Sequence, residues 1–513
     1  MVYKAFLIAS GFSMETTTAT NSPNIVLFMV DDMGWQDTSV PFDTCVSDLN
    51  RRYETPNMER LASMGVKMTS AYACSISSPS RCSLMTGMNQ ARHCVTNWTL
   101  HRDISTDNPN PYVEMPNWNY NGIQPSEGIN HTAVATSFVQ ILKEHGYHTI
   151  HVGKAHFGAT NTPSANPLNY GFEVNIAGHS AGGPASYLGE RCYGFNPDGT
   201  AWHKGGFAVP GLEKYWQQDV FLTEALTREA LKTLEDAHTK QQPFFLYMAH
   251  YAVHVPLDKD VRFYDKYRTK GLDDTEARYA ALIEGMDKSL GDIMDYLTQT
   301  QQIDNTIIIF MSDNGGLDFS GRGAAPEGRH NYPLRSGKGS LYEGGIREPM
   351  IVYWKDKVAP NTINSHPLII EDFFPTILEM AGITNYIVPQ VVDGRSFVPL
   401  LEGRYTDNHQ RALVWNSPHT WIPVQYEDLK QGYGQTCAIR KSNYKLIYNY
   451  RTGKKELYNL QEDIREDNDI AQKNPAIVAD LSCELGTYLR EVGAQRPTFK
   501  ATSKPCPWPD ETE

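Results

Sequence analysis

The sequence lacks long hydrophobic runs, clustered cysteines and internal repeats. No apolar stretch reaches the roughly 18 residues that a membrane-spanning helix needs, so we expect no membrane span. The eight cysteines form no CxxC pair and no zinc-ligand spacing, and they are too sparse for a disulfide scaffold. This pattern excludes a zinc-ribbon or disulfide-rich protein, and it leaves open whether one or two disulfides form.

Positive charge is also scarce. Lys and Arg number 46 against 59 Asp and Glu, and the formal net charge is −13. This balance disfavours non-specific binding of nucleic acid over the whole surface, although a cleft can still hold a local cationic pocket. We therefore expect no nucleic-acid partner.

At 513 residues the chain is longer than one hydrophobic core usually holds. We therefore expect a large domain joined to a smaller one.

The N-terminal segment, residues 1–22, differs from the rest of the chain. Lys4 precedes the short apolar run AFLIASGFSM, and a polar stretch follows from Glu15 to Ser22. A basic residue before a short apolar run is typical of a secretory signal peptide. We interpret residues 1–22 as a signal-like or disordered segment, which predicts a periplasmic or secreted protein.

Helical and strand patterns alternate over residues 23–405. Continuous apolar runs of strand length indicate strands buried on both faces of a sheet. The predicted strands are IVLFMV (25–30), HTIHV (148–152), FFLYMA (244–249) and TIIIFM (306–311), and the predicted helices cover about 55–65, 133–145, 220–237 and 277–298. This alternation predicts an α/β fold, with a mainly parallel sheet and helices on both of its faces.

The pattern changes in residues 406–513. Short strands are predicted at ALVW, TCAIR, YKLIYNY and KELYNL, with a turn at Thr452-Gly453 and a last helix from about Pro475 to Val492. Short strands joined by hairpins are typical of an antiparallel sheet. We expect a small C-terminal subdomain with one antiparallel sheet and one helix, packed on the larger domain.

Charged and reactive side chains follow four of the predicted strands. They are Asp31 and Asp32, Lys154 and His156, His254, and Asp313 and Asn314. A single Asp or Asn at such a place is often only a turn residue, but functional residues of open α/β sheets gather beyond the carboxyl ends of strands. Three carboxylates close together need a positive charge between them. An all-oxygen ligand set suits Ca²⁺ or Mg²⁺, so the sequence predicts a site for such a cation.

The segment SSPSRCSLMTG (77–87) contains a candidate nucleophile. Pro79 predicts the first position of a helix, which would place Ser77 just before the positive end of that helix, where anions bind. A plain serine-rich helix cap would show the same pattern, so the segment alone does not decide between the two interpretations.

The spacing S-x-P-S-R-x-x-L-x-T-G in that segment resembles the signature of the formylglycine-dependent sulfatases, which belong to the alkaline phosphatase superfamily. Other blocks that resemble the family follow in order: VDDMGW (30–35), TPNMERLASMGV (55–66), GKAHFG (153–158), HVP (254–256), SDNGG (312–316), SGKGSLYEGGIREP (336–349) and DFFPTILEMAGI (372–383). The resemblance implies an alkaline-phosphatase-like α/β domain with a C-terminal subdomain, acting as a bacterial type of carbohydrate sulfatase.

The resemblance also implies a nucleophile and a metal site. Ser77 would be oxidised to formylglycine (3-oxoalanine) by a maturation enzyme that accepts Ser where Cys is commoner. The modified Ser77 would complete the ligand shell of one Ca²⁺, whose other protein ligands would be Asp31, Asp32, Asp313 and Asn314.

Catalytic roles are implied for further matched residues. Arg81 and Lys154 would hold the formylglycine and sulfate oxygens, His156 would act as the base in sulfate elimination, and His254 and Lys338 would lie near the leaving oxygen. Ala155 departs from the family, which often has Trp there, and this concerns local packing only.

Two other functions were weighed. A phosphate mono- or diesterase of the same superfamily usually binds two metals, and the sequence shows no second cluster of His and Asp. A non-catalytic binder of sulfated glycans would have lost a metal ligand or Arg81, and none is lost. The sulfatase interpretation is therefore favoured.

Three long irregular stretches, 97–130, 179–202 and 318–331, predict the substrate-binding surface, because long loops in a compact domain are uncommon unless functional. Their candidate substrate-binding residues are Trp98, His179, Arg322, Arg329 and His330. Aromatic faces stack on the C–H face of a sugar, and polar groups bind its hydroxyls. We expect a sulfated carbohydrate as substrate, with a terminal galactose-type 4-O-sulfate as the first hypothesis.

Overall fold

The structure is a computed structural model, and it describes residues 22–202, 205–318, 330–404, 410–424 and 431–512. The predicted signal-like segment lies outside the described residues except for Ser22, and so do Arg322 and Arg329.

The strands follow one another along the chain in this order: β1 (Asn24–Val30), β2 (Val66–Tyr72), β3 (Val113–Glu114), β4 (Ile123–Gln124), β5 (Ala133–Val134), β6 (His148–Gly153), β7 (Val174–Ile176), β8 (Phe244–Ala249), β9 (Thr306–Ser312), β10 (Arg347–Tyr353), β11 (Thr362–Asn364), β12 (Leu368–Ile369), β13 (Leu413–Ser417), β14 (Thr436–Lys441), β15 (Tyr444–Asn449), β16 (Lys455–Asn459) and β17 (Thr498–Phe499).

The α-helices are α1 (Asp48–Arg52), α2 (Pro56–Met64), α3 (Ser77–Thr86), α4 (Gln90–His93), α5 (Phe138–Glu144), α6 (Leu222–Thr239), α7 (Tyr264–Thr269), α8 (Asp274–Gln299), α9 (Glu343–Ile346), α10 (Phe373–Met380), α11 (Val398–Leu401) and α12 (Pro475–Glu491).

The main sheet has nine strands in the order β11-β2-β10-β9-β1-β8-β6-β7, with β12 also paired to β2. Strand β10 runs antiparallel to its neighbours β2 and β9, and the other pairs are parallel. Every residue of β1, β8 and β9 is buried, as continuous apolar runs predict. The predicted mostly parallel α/β sheet is confirmed.

Helices cover both faces of this sheet. Successive residues of a strand point to opposite faces, so Ile25 and Leu27 of β1 pack into the core with α3, α5 and α10, whereas Val26 and Phe28 pack into the core with α2, α6 and α8. Both faces are therefore closed to water, and the strand ends are the part of the sheet left for a site.

Two local predictions were wrong. The helix expected from residue 133 begins at Phe138, because Ser137 caps it by accepting the backbone N–H of Gln140, and residues 133–134 form β5 instead. Helix α3 begins at Ser77 itself, so Pro79 is its third residue and not its first. Proline is tolerated there because the first N–H groups of a helix have no intrahelical acceptor.

The C-terminal part contains a four-stranded antiparallel sheet in the order β13-β14-β15-β16. Helix α12 packs on it through Leu485 and Leu489, and Gly453 has a φ of 71° in the predicted turn between β15 and β16. The expected antiparallel sheet with one helix is confirmed, and the boundary near residue 405 stays a prediction. All eight cysteines lie within the described residues, and each is a free thiol there.

A buried ion-pair group joins this C-terminal sheet to the main domain. Lys445 of β15 lies between Glu343, the first residue of α9, and Glu466, with 2.9 Å from Nζ to an oxygen of each carboxylate. All three side chains are fully buried. Burying such groups is costly, and removal of one partner leaves the others uncompensated.

We predict that Lys445→Met lowers the free energy of unfolding by about 3–5 kcal/mol, because buried Glu466 loses its cation and buried Glu343 keeps only its 3.2 Å pair with Arg347. The matched control is Lys441→Met on the neighbouring strand. Its 2.8 Å pair with Glu484 is partly exposed, and such pairs contribute about 0–1 kcal/mol. Urea denaturation of both variants measures the difference, and equal losses would contradict the role given to Lys445.

Candidate active site

One edge of the main sheet collects reactive side chains from several chain segments. Strands β6, β8, β1 and β9 are consecutive neighbours and run parallel, so their carboxyl ends lie at the same edge. Asp31 and Asp32 follow β1, Asp313 and Asn314 follow β9, and Lys154 follows β6. The structure brings these five residues together around Ser77.

Three carboxylates converge at this edge. One oxygen each of Asp31, Asp32 and Asp313 lie within 4.8 Å of one another, and all three residues are buried. Asn314 Nδ2 donates to Asp32 Oδ1 at 2.7 Å, and Asn314 Oδ1 lies 3.0 Å from Ser77 Oγ. We call Asp31, Asp32 and Asp313 the acidic triad.

The turn after β1 holds Asp32 in an uncommon conformation. Its φ is 61°, in the left-handed region that residues other than glycine seldom occupy. Backbone contacts fix this turn: Asp31 N–H donates to Ala252 O at 2.9 Å, and Met33 N–H donates to Ser312 Oγ at 3.1 Å. Such strain persists where surrounding structure maintains it, and it is common at functional sites.

Each member of the acidic triad has its own cation. Lys154 Nζ lies 2.7 Å from Asp31, Lys338 Nζ lies 2.7 Å from Asp32, and Arg81 Nε lies 2.8 Å from Asp313. Arg81 also donates to Lys154 O at 2.8 Å and to the Tyr247 hydroxyl at 3.2 Å. Arg81 Nη2 is buried with no hydrogen-bond partner among the described residues.

The pKa values of the acidic triad diverge. Burial raises the pKa of Asp31 well above its ordinary value, and Asp313 and Asp32 add to this effect while Lys154 offsets only part of it. Burial also raises the pKa values of Asp32 and Asp313, but the surrounding cations together outweigh it, with Lys338 the strongest at Asp32 and Arg81 the strongest at Asp313. Both pKa values therefore lie below their usual range. A divalent cation among these oxygens would keep all three carboxylates ionised.

Ser77 lies beside the acidic triad at the first position of α3. Lys154 Nζ donates to Ser77 Oγ at 2.8 Å, and Ser77 Oγ lies 3.2 Å from Asp31 Oδ1. All ten residues of α3 are buried, and the helix ends at Gly87 with a φ of 68°. Lys154 and the positive N-terminal end of α3 thus place positive charge beside residue 77.

Two histidines lie near Ser77, and each uses one ring nitrogen in a backbone hydrogen bond. His156 Nε2 donates to Thr99 O at 2.9 Å, which leaves Nδ1 as a buried lone pair with no partner in the described part of the chain. His254 Nδ1 donates to Val255 O at 2.6 Å, and its Nε2 lies 3.7 Å from Asp32 Oδ2. Burial lowers both pKa values, with further lowering by Lys154 at His156 and by Lys338 at His254.

A cavity of about 200 Å³ opens above these groups. Its polar lining is Ser77, His156, His254 and Lys338, and its other lining residues are Ile76, Trp98, Gly182, Gly183, Phe207 and Trp421. Two larger cavities, of about 530 and 520 Å³, include no member of the acidic triad and neither histidine. The smaller cavity is therefore the one that gives access to Ser77.

The predicted substrate-binding residues are not all at this cavity. Trp98 lines it. His179 packs against Tyr251 with 6.3 Å between ring centroids, and its carbonyl accepts the His156 N–H. His330 packs against Tyr279 of α8. Neither His179 nor His330 is among the residues that line the cavity, and Arg322 and Arg329 lie outside the described residues.

Sequence reasoning missed two aromatic residues of the cavity, Phe207 and Trp421. Phe207 lies just beyond the predicted 179–202 loop, and Trp421 belongs to the C-terminal part, where no block resembling the family was found. The aromatic character of Trp421 was the only signal, and many other aromatic residues share it.

Comparison with known proteins places the chain in a family. A family model described as sulfatase matches residues 23–383. The chain belongs to the sulfatase family. A second model, described as N-sulphoglucosamine sulphohydrolase, C-terminal, matches residues 336–494. Family membership makes this protein a sulfuric ester hydrolase.

Relatives and solved structures agree with this assignment. A sulfatase of Formosa agariphila is 30% identical, covering 94% of this chain and 90% of the relative. N-acetylgalactosamine-6-sulfatase of Mus musculus is 30% identical, covering 82% and 73%. The crystal structure of Ps i-CgsB in complex with k-i-k-neocarrahexaose has a TM-score of 0.70 at 26% identity, covering 91% of this chain and 93% of that one.

No helix in the described ranges is long and apolar enough to span a membrane.

We predict that Ca²⁺ raises the thermal midpoint of the metal-free protein, and that Asp31→Asn or Asp313→Asn removes this rise. At 100 times the dissociation constant, binding adds about 2.7 kcal/mol of stability. Asp393→Asn is the control, because Asp393 pairs with Arg92 outside the acidic triad. This control should keep the calcium shift. A full shift in Asp31→Asn would show that the ion binds elsewhere.

Proposed function

We propose that this sulfatase removes an O-sulfate from a terminal sugar of a sulfated glycan, with Ser77 converted to formylglycine and one Ca²⁺ bound. The observation that carries the proposal is the place of Ser77 Oγ. It lies in the lining of the cavity, 2.8 Å from Lys154 Nζ and 3.2 Å from Asp31. A group at this position reaches both the cavity and the acidic triad.

Both cofactors fit the residues present. Asp31, Asp32, Asp313 and Asn314 offer only oxygen ligands, and Ca²⁺ accepts six or more oxygens in irregular geometry, whereas Mg²⁺ needs a strict octahedron. Formylglycine, once formed by a maturation enzyme, supplies a hydrated aldehyde whose hydroxyl is the nucleophile toward sulfur. The three cations already balance the acidic triad, so a bound Ca²⁺ leaves the site positive, as a sulfate monoester requires.

The protein's own residues supply charge stabilisation and proton transfer. Arg81 and Lys154 are buried and held by hydrogen bonds, so they stabilise negative charge at position 77 without reorganising. His156 presents an unprotonated Nδ1, because its Nε2 proton is bound to Thr99 O, and this nitrogen is suited to accept a proton.

Lys338 and His254 are suited to assist the leaving oxygen, since both line the cavity beside Asp32. Asp32 and the other carboxylates raise the pKa of Lys338 against the effect of burial, so its ammonium carries protons at neutral pH. Burial and Lys338 lower the pKa of His254 to about 4. The negative charge of a bound sulfate ester would raise this pKa and so favour the protonated form that a general acid needs.

The cavity supports a sugar substrate. Its volume of about 200 Å³ suits one sugar ring, and Trp98, Phe207 and Trp421 supply aromatic surface on which such a ring can stack. The 30% identical relative named N-acetylgalactosamine-6-sulfatase and the neocarrahexaose complex of Ps i-CgsB also favour a carbohydrate. A galactose-type 4-O-sulfate stays our first hypothesis for the sugar, and a periplasmic or secreted location would bring the enzyme to such glycans.

We predict that a panel of sulfated monosaccharides and glycosaminoglycan oligosaccharides contains a substrate, whereas phosphate monoesters are hydrolysed at least 100-fold more slowly. Sulfate release by ion chromatography is the measurement. Ser77→Ala is the control and should release none, with its thermal midpoint close to that of the wild type. Phosphate esters as the better substrates would support the phosphoesterase alternative, and cleavage of aryl sulfates alone would overturn the sugar assignment.

We predict that His254→Ala slows hydrolysis of sugar sulfates by about 10²–10⁴-fold and of aryl sulfates much less. A sugar alkoxide leaves poorly unless it is protonated, so a general acid accelerates the hydrolysis of sugar sulfates more than that of aryl sulfates. Values of kcat on both substrate types measure the difference. Equal slowing of both types would show that His254 is not the acid.

A further inference from the structure

We propose that residues 179–187, which we call the histidine bridge, position both active-site histidines through Gly182 and Gly183. This inference rests on the proposed function, because it needs the roles given to His156 and His254. Its basis is geometric, since one short segment contacts the rings of both histidines and is hydrogen bonded to the backbone of both.

The two glycines occupy positions where no side chain fits. A Cβ atom on Gly182 would lie 2.3 Å from His156 Cε1 and 2.7 Å from its Nδ1. A Cβ atom on Gly183 would lie 2.7 Å from His254 Nδ1 and 2.8 Å from its Cε1. Neither glycine has a positive φ, so the need for glycine at both positions comes from the rings and not from the backbone conformation.

Hydrogen bonds hold the bridge to the same histidines at both ends. At its start, His179 O accepts the backbone N–H of His156 at 3.2 Å. At its end, the Tyr187 hydroxyl lies 2.8 Å from His254 O and 2.7 Å from Tyr251 O. His179 therefore contributes to the bridge through its backbone carbonyl.

Contacts to neighbouring segments make the bridge rigid. Ser180 Oγ lies 2.7 Å from Thr160 Oγ1, and Asp258 accepts from both Ser186 Oγ at 2.7 Å and Tyr187 N–H at 2.8 Å. Gly182 and Gly183 are buried and line the cavity. Since Gly182 packs against the ring of His156 and the adjacent Gly183 against the ring of His254, the pair limits how far each imidazole can move and how far apart the two are.

A methyl group at either position should therefore displace one specific ring. Gly182→Ala should move His156 and Gly183→Ala should move His254, each by about 1 Å, and a misplacement of that size can cost about 100-fold in rate. We expect kcat to fall about 10- to 100-fold while KM changes less than about threefold, because the sugar-stacking aromatic residues are untouched.

Crystal structures and a double-mutant cycle test the proposal. The structures of Gly182→Ala and Gly183→Ala should each show the predicted ring displaced and the other in place. Adding Gly183→Ala to His254→Ala should cost less than about threefold further, since a positioning residue acts only through its partner. Unmoved rings, or losses that multiply fully in the double variant, would overturn the proposal.

Two further variants separate positioning from general damage. Gly178→Ala is the matched control, because a Cβ there would lie 2.6 Å from the ring of His151, a histidine outside the site. This control should lower the thermal midpoint and keep kcat within about threefold. Tyr187→Phe removes the hydroxyl that binds both His254 O and Tyr251 O, and it should lower kcat even if a glycine variant fails to fold. An unchanged kcat in Tyr187→Phe would contradict the bridge.

The substrate for these assays is whichever of galactose 4-sulfate, N-acetylgalactosamine 4- or 6-sulfate and glucosamine 6-sulfate the wild type hydrolyses fastest. If the wild type hydrolyses none, the proposed function fails, whereas the crystal structures still test the bridge. If the wild type is active and the glycine variants keep its kcat, the bridge alone is wrong.

Discussion

The repulsion among three buried carboxylates is the constraint on which the active site depends. Asp31, Asp32 and Asp313 come from the ends of two adjacent parallel strands, and the topology of the sheet leaves them close together. Water cannot stabilise their charges there, so cations must. The three cations that pair with them come from different parts of the chain: Arg81, Lys154 and Lys338.

Two of these cations also contact Ser77 or line the cavity above it. Lys154 donates to both Asp31 and Ser77 Oγ, so one of the cations that neutralise the acidic triad also contacts the proposed nucleophile. Lys338 pairs with Asp32 and lines the cavity next to Trp421. The C-terminal part is therefore close to the chemistry, and the buried group around Lys445 stabilises its attachment to the main domain.

Much of the fold and the charged centre could be predicted from the sequence, because they depend on strong local signals. Continuous apolar runs identified β1, β8 and β9, and the residues that follow parallel strands had to meet at one edge. The first residue of each helix was predicted less reliably, because neighbouring residues compete to cap the helix. Ser137 caps α5, which begins five residues after the predicted start, and α3 begins two residues before Pro79.

The cavity wall could not be predicted in the same way. Phe207, Trp421 and the pair Gly182–Gly183 come from irregular segments, whose positions follow from tertiary contacts and not from periodicity. A glycine pair in a loop usually indicates a turn, whereas here the imidazole of His156 or His254 fills the space beside each glycine. His330 was predicted to contact substrate because it lies in a long loop; in the structure it packs against Tyr279, and its contact with substrate stays a prediction.

The proposed mechanism requires formylglycine, and not serine, at position 77. Mass spectrometry of the peptide that contains Ser77, taken from active enzyme produced in its own host, is the decisive measurement. We expect a peptide that lacks two hydrogens relative to serine, in a fraction that rises in proportion to specific activity between preparations. Fully active enzyme with unmodified serine at position 77 would contradict it.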